Sequence, residues 1–181
     1  KNQQQLEQIF LMFDKVTILE VAILNYLSKI RKEKLTEQES IDHQNMMTTT
    51  IQQQNMASII RHDIADILQY FIEHKHKPGE TTREIFLDFF HEICATLEEN
   101  ITVIAQYDQR AAEKVINRKA IIKHYEDKIL SRKSSHLGSE QENYIKMARM
   151  EISLMEKMAR IYSLTRNIAL LILPSKADGQ N

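Results

Sequence analysis

The chain carries almost nothing that stops a helix. Across 181 residues it has three Gly and two Pro, against average usage of about 7% and 5%. Turns draw on those residues, so their scarcity argues against a sheet fold and for long helices with few loops. The breakers that exist are Pro78-Gly79, Gly138, and a tail with Pro174 and Gly179. Helix-start signatures agree with them. Thr36-Glu37-Gln38-Glu39 reads as a capping box, in which hydroxyl and carboxylate each bind a free backbone N–H. Thr81-Thr82-Arg83-Glu84 and Ser139-Glu140-Gln141-Glu142 repeat the pattern after the two glycine loops, and Asp108 is a further N-cap.

These boundaries predict five helices, over residues 4–34, 37–75, 82–106, 109–133 and 140–173. The expected fold class is all-α, an elongated antiparallel bundle. Apolar stripes at three- and four-residue steps support it. Ile9, Met12, Val16, Leu19, Ile23, Leu27 and Ile30 form one stripe. Ile85, Phe89, Ile93, Leu97, Ile101 and Ile104 form a second. Val115, Ile122 and Ile129 recur at heptad spacing, and Met147, Met150, Leu154, Met158, Ile161, Thr165, Ile168 and Ile172 line the last helix. The exception is residues 48–55, Thr-rich and Gln-rich with little apolar face, where a frayed or kinked helix is expected.

Charge and cysteine content remove several classes of function. The 24 Lys+Arg against 25 Asp+Glu give no electrostatic footprint of a nucleic-acid binder. A single Cys leaves no internal disulfide and no multi-cysteine zinc site. No apolar run approaches the roughly 20 residues of a membrane span. The richest stretch, residues 10–30, is interrupted by Asp14, Lys15, Glu20, Asn25 and Lys29. No signal peptide is visible. The chain opens on Lys1 rather than Met, and the native protein is expected to extend upstream.

The best candidate chemistry is His62-Asp63-Ile64-Ala65-Asp66. On an α-helix His62 and Asp66 sit at i and i+4, on one face, and are candidate ligands for a weak divalent metal. Two donors are too few for a specific site, and an exposed His–Asp pair is the simpler reading. His74-Lys75-His76-Lys77 reads as a solvated helix end whose positive charge suits the C-terminal dipole. His43, His91, His124 and His136 carry no ligand spacing, and the eight Met residues lie mostly in the apolar stripes. Lys114, Arg118, Lys119 and Lys123 are diluted by Glu113, Glu126 and Asp127 into a solvated face. Cys94 lacks an orienting group and an oxyanion donor and reads as core. Gly-rich phosphate loops and hydrolase motifs are absent, so no catalytic residue is named and no enzyme is expected.

Two segments carry a family resemblance. Ile60-Arg61-His62-Asp63-Ile64-Ala65-Asp66-Ile67 and Met158-Ala159-Arg160-Ile161-Tyr162-Ser163-Leu164-Thr165-Arg166-Asn167-Ile168-Ala169 resemble PhoU-type helical domains. Those are built from repeated three-helix units, whose last helix carries a Glu-Arg-Ile-x-Asp pattern and an Asn-Ile-Ala-like ending. The first segment keeps Ile64 and Asp66, with His62 in the Glu position. The second keeps Arg160, Ile161 and Asn167-Ile168-Ala169, with Ala159 and Ser163 in place of two carboxylates. On this plan residues 1–181 are a single domain. Residues 1–75 are a partial first repeat, 82–173 a complete second, and 174–181 a tail.

The form without a leading helix is most similar to the cytoplasmic domain that follows the membrane region of bacterial sodium/phosphate cotransporters. The resemblance implies a regulatory domain at the cytoplasmic face of a bacterial inner membrane, modulating phosphate uptake by protein association. Its partner would be the transporter region of the same chain, with a homodimer as a further candidate. No nucleic acid and no small-molecule substrate is implied. A free-standing PhoU-type regulator and a ligand-free oligomerisation bundle are the alternatives. Family members bind metal clusters through acidic motifs. The substitutions here leave at most a weak or mononuclear site at His62 and Asp66.

Overall fold

The computed structural model describes residues 2–134 and 142–173. They form helices and connecting loops, with no strand among them. The chain divides into two compact units, residues 1–66 and 67–181.

The first unit is a helical hairpin. Helix α1 (Asn2–Ile30) packs against α2 (Glu37–Ser58). The Thr36 capping box forms as expected. Thr36 Oγ1 accepts from the Glu39 backbone N–H at 3.3 Å, and Glu39 Oε2 accepts from the Thr36 N–H at 2.8 Å. That reciprocal bonding holds the Glu39 carboxyl below the usual range, chiefly through the Thr36 backbone N–H. His43 is buried, and its Nε2 lies 2.8 Å from the Leu27 carbonyl oxygen, tying α2 to the last turns of α1.

Residues 48–55 are regular helix, contrary to the expected fraying. Thr50 is buried, and its hydroxyl donates to the Met46 carbonyl at 2.9 Å, which satisfies a side chain that otherwise competes with the helix. The irregularity comes one turn later. Residues Ile59–Ile64 are π-helical, and the Ala65 N–H closes the segment on the Ile60 carbonyl, five residues back.

The α1 stripe also departs from expectation. Leu27 is buried, yet Met12, Leu19 and Ile23 are 64%, 60% and 42% exposed. Only part of the apolar surface of α1 is used against α2.

The second unit is a bundle in which three helical layers all touch one another. Helix α3 (Ala65–Glu73) enters it, followed by α4 (Glu80–Gln106). The fourth expected helix is a broken rod, α5 (Gln109–Asn117) and α6 (Lys119–Ser134), and α7 (Glu142–Ile172) closes the unit. α4 meets α5, α6 and α7, and α7 meets both α5 and α6. Asp108 caps α5, its carboxylate accepting from the N–H groups of Arg110 at 2.8 Å and Ala111 at 3.2 Å. The cap expected at Thr81 does not form. Gly79 is the N-cap of α4 without a side-chain bond, and Thr82 is buried inside the first turn. The capping box expected at Ser139 lies outside the described residues.

The buried line of α4 is Phe89, Ile93, Thr96, Asn100 and Val103, not the Leu97–Ile101–Ile104 continuation of the apolar stripe. Ile101 is 67% exposed. Thr96 enters the core because its hydroxyl donates to the Glu92 carbonyl at 2.7 Å. Small residues permit close approach nearby: Val103, Ala111, Ala112, Val115 and Ala169 form one core cluster across α4, α5 and α7.

Candidate functional site

The π segment carries most of the motif singled out in the sequence. In a π turn, five-residue rather than four-residue neighbours are hydrogen-bonded; His62 lies within this segment and Asp66 just after it, in α3. His62 and Asp66 are both exposed. Asp63 and Ile64 are half-buried, and Ala65 and Ile67 are buried. Among the described residues no group of three or more His, Cys, Asp or Glu is placed to hold a metal ion. A multinuclear cluster therefore does not fit these residues.

The π segment is instead fastened to α1 through aromatic contacts. The Arg61 guanidinium lies 3.4 Å from the centroid of the Phe10 ring. The His62 ring meets the edge of Phe13 at 5.1 Å between centroids. Phe10 and Phe13 are one helical turn apart, so two successive π-segment residues clasp two successive turns of α1.

Beside this clasp α1 and α2 leave an open groove of about 360 Å³. Val16, Leu19, Ile23, Met56 and Ile60 supply its apolar walls, with Glu20, Thr50 and Gln53 among its polar residues. The groove holds no constellation of nucleophile and base among its lining residues.

The second unit contains two polar features that sequence reasoning missed. Glu151 on α7 is 3% exposed, and its Oε1 lies 2.7 Å from His76 Nε2. His76 is thus a partner of a buried carboxylate rather than part of a solvated helix end. The chain turns inward there because Lys75 adopts a left-handed conformation, φ 49°, and the His76 N–H bonds back to the Phe71 carbonyl at 2.8 Å. His74 keeps the expected exposed position, stacked on Tyr70 at 3.9 Å. The available signal for Glu151 was its place between Met150 and Leu154, a carboxylate adjoining an apolar stripe.

The other feature is the break between α5 and α6. The Tyr162 hydroxyl from α7 faces the carbonyl oxygens of Val115 and Ile116, each at 3.2 Å. Burial pushes the Tyr162 phenol up, and Arg166 and Arg118 partly oppose that. Arg118, at the break itself, donates from Nη1 to Glu92 Oε2 at 2.6 Å. Lys114 and Lys123 reach Glu99 and Asp127 at 2.9 and 3.0 Å, so the basic row along this rod is matched by carboxylates. Cys94 is half-buried, and burial followed by Glu98 pushes its thiol up, the direction opposite to activation. Among the described residues no helix is long and apolar enough to cross a membrane.

No protein-family model matches the chain, and no curated protein sequence does. Its fold is similar to that of a solved structure, PhoU from Pseudomonas aeruginosa, with a TM-score of 0.80. The alignment covers 92% of this chain and 78% of that one at 16% identity. At that identity the likeness is one of fold.

Proposed function

We propose that the chain is a PhoU-type regulator of phosphate uptake that works by protein association, and specifically the cytoplasmic domain of a sodium-coupled phosphate cotransporter. The observation that carries the reading is the fold likeness to PhoU over 92% of the chain. The Arg160-Ile161 and Asn167-Ile168-Ala169 matches at the end of α7 support it. In this reading the domain alternates between a docked and a released state on the transporter. The shift needs an interaction that favours one state. The apolar groove between α1 and α2 is a surface suited to docking, and no step runs through a metal.

The test uses the native product in cells. An antibody to this domain is expected to find it in a membrane pellet that survives high-salt and alkaline washing, on a chain much larger than 21.3 kDa. Deleting residues 1–181 from that chain should then change phosphate uptake while transporter abundance stays constant. A washed-out chain of about this size refutes the cotransporter reading and favours a free-standing regulator. Unchanged uptake after deletion refutes regulation in either form.

A further inference from the structure

We propose that the outer face of α4 docks a basic amphipathic helix of a partner polypeptide. The buried line of α4, through Phe89, Ile93, Thr96, Asn100 and Val103, is used inside the bundle. A second apolar line runs beside it. Leu87, Phe90, Cys94, Leu97, Ile101 and Ile104 follow alternating three- and four-residue steps, the spacing that keeps a seam facing one partner helix. Leu87, Phe90 and Ile101 are 45%, 51% and 67% exposed, and the other three are half-buried.

At about 100° per residue these six side chains fall within an arc of about 100°, along about 26 Å of helix. Side chains of this size at these exposures present on the order of several hundred Å², the scale at which an apolar patch marks an interaction surface. Helices α5, α6 and α7 pack on the other sides of α4 and leave this seam open.

The charges choose the occupant. Glu84, Asp88 and Glu98, all exposed, occupy the next arc of about 80° along one edge of the seam. Burial followed by Glu98 raises the Cys94 thiol, so this carboxylate stands beside the middle of the seam. Further round the helix, Glu92 and Glu99 are matched by Arg118 at 2.6 Å and Lys114 at 2.9 Å. Among the described residues Glu84, Asp88 and Glu98 form no ion pair. The carboxylates turned to the bundle thus have their cations, and those bordering the seam have none. A helix with an apolar stripe and a flank of Lys or Arg complements seam and acidic row together. A second copy of α4 does not, because its sequence holds one Arg and no Lys. A membrane surface rich in anionic lipid repels the row. The proposal stands independently of phosphate-uptake regulation.

The test titrates a fluorescent synthetic helix of about 18 residues, with Leu at heptad a and d positions and Lys along one flank, into the 181-residue chain. Binding should saturate and should weaken as salt rises. The same helix with Glu in place of Lys should bind about tenfold less tightly or worse. Ile101→Glu should weaken the Lys helix about tenfold, and so should the triple variant Glu84→Lys, Asp88→Lys and Glu98→Lys, with helical circular dichroism unchanged in both. No binding, equal binding of the Lys and Glu helices, or binding indifferent to both variants overturns the proposal. In cells, a maleimide–succinimidyl ester reagent links Cys94, the single thiol of the chain, to a neighbouring amine. Mass spectrometry of the linked peptide should return a Lys-rich amphipathic segment of another polypeptide. Links confined to lysines of the chain itself, or to a second copy, overturn the assignment of the partner.

Discussion

Tyr162→Phe isolates the bond that spans the α5–α6 break. The ring stays, so packing is preserved; Tyr162 is 4% exposed and little else changes. The hydroxyl is shared between the carbonyls of Val115 and Ile116, both at 3.2 Å, near the end of α5 where intrahelical partners run out. A single hydrogen bond contributes about 0.5–1.5 kcal/mol net, and a buried acceptor left without a partner costs about 1–3 kcal/mol. The Val115 carbonyl retains only the long 3.4 Å contact from the Arg118 N–H. A loss of about 1.5 kcal/mol is expected, which for a chain of this length lowers Tm by about 3–6 °C. The second readout is alkaline pH. A phenol whose folded pKa is raised stabilises fully below its unfolded value of about 10 and loses that contribution as pH rises beyond it. The wild-type Tm should therefore fall above pH 10 more steeply than that of Tyr162→Phe, measured by differential scanning calorimetry. Burial also raises Tyr125, so the variant retains some slope. A Tm within 1 °C of wild type at neutral pH, with parallel alkaline slopes, would refute a structural role for this hydroxyl.

Gly79→Asp should stabilise the chain by about 0.5–1 kcal/mol by adding a side-chain cap and removing unfolded-state freedom. Gly79 has φ −56°, and an added Cβ meets nothing within 4 Å, so the urea midpoint should rise. Thr36→Ala should cost about 1 kcal/mol in the same assay. The depressed Glu39 carboxyl gives a stabilisation present above its unfolded pKa and lost as pH falls through the folded one, so acid sensitivity near pH 4 should be smaller in Thr36→Ala. For His62 and Asp66, Zn²⁺ titration followed by NMR should show only weak binding, removed by either His62→Ala or Asp66→Ala; tight binding insensitive to both variants would place the metal elsewhere.

Legibility followed the range of the physics. Thr36 and Asp108 were readable because a cap is a contact between residues two or three apart. Thr81 misled because the same residue pattern tolerates an earlier start when Gly79 occupies the cap. The break at Arg118 and the burial of Thr96 and Asn100 depend on what α7 and α4 present across the bundle, which no local window contains. The exposed band of α1 has the same periodicity as a buried one, and periodicity cannot tell which apolar faces find a partner. For the candidate site, residue identities at His62 and Asp66 were visible, whereas the π turn that carries His62 was not. No composition rule distinguishes Ile59–Ile64 from ordinary helix.

That widened turn has a consequence for the length of the chain. A helix with one π turn holds one residue more than its hydrogen bonds would count, and the surplus is stored without a loop. Deleting a single residue there would restore ordinary spacing and keep the rod intact, and the side chains beyond it would stay near their present bearing, because the wider turn already absorbs the extra residue. The buried Ala65 and Ile67 would keep close to the bearing they have now. Ile59–Ile64 thus works as a buffer written into the backbone, taking up one residue of length without turning Ala65 and Ile67 around the helix axis.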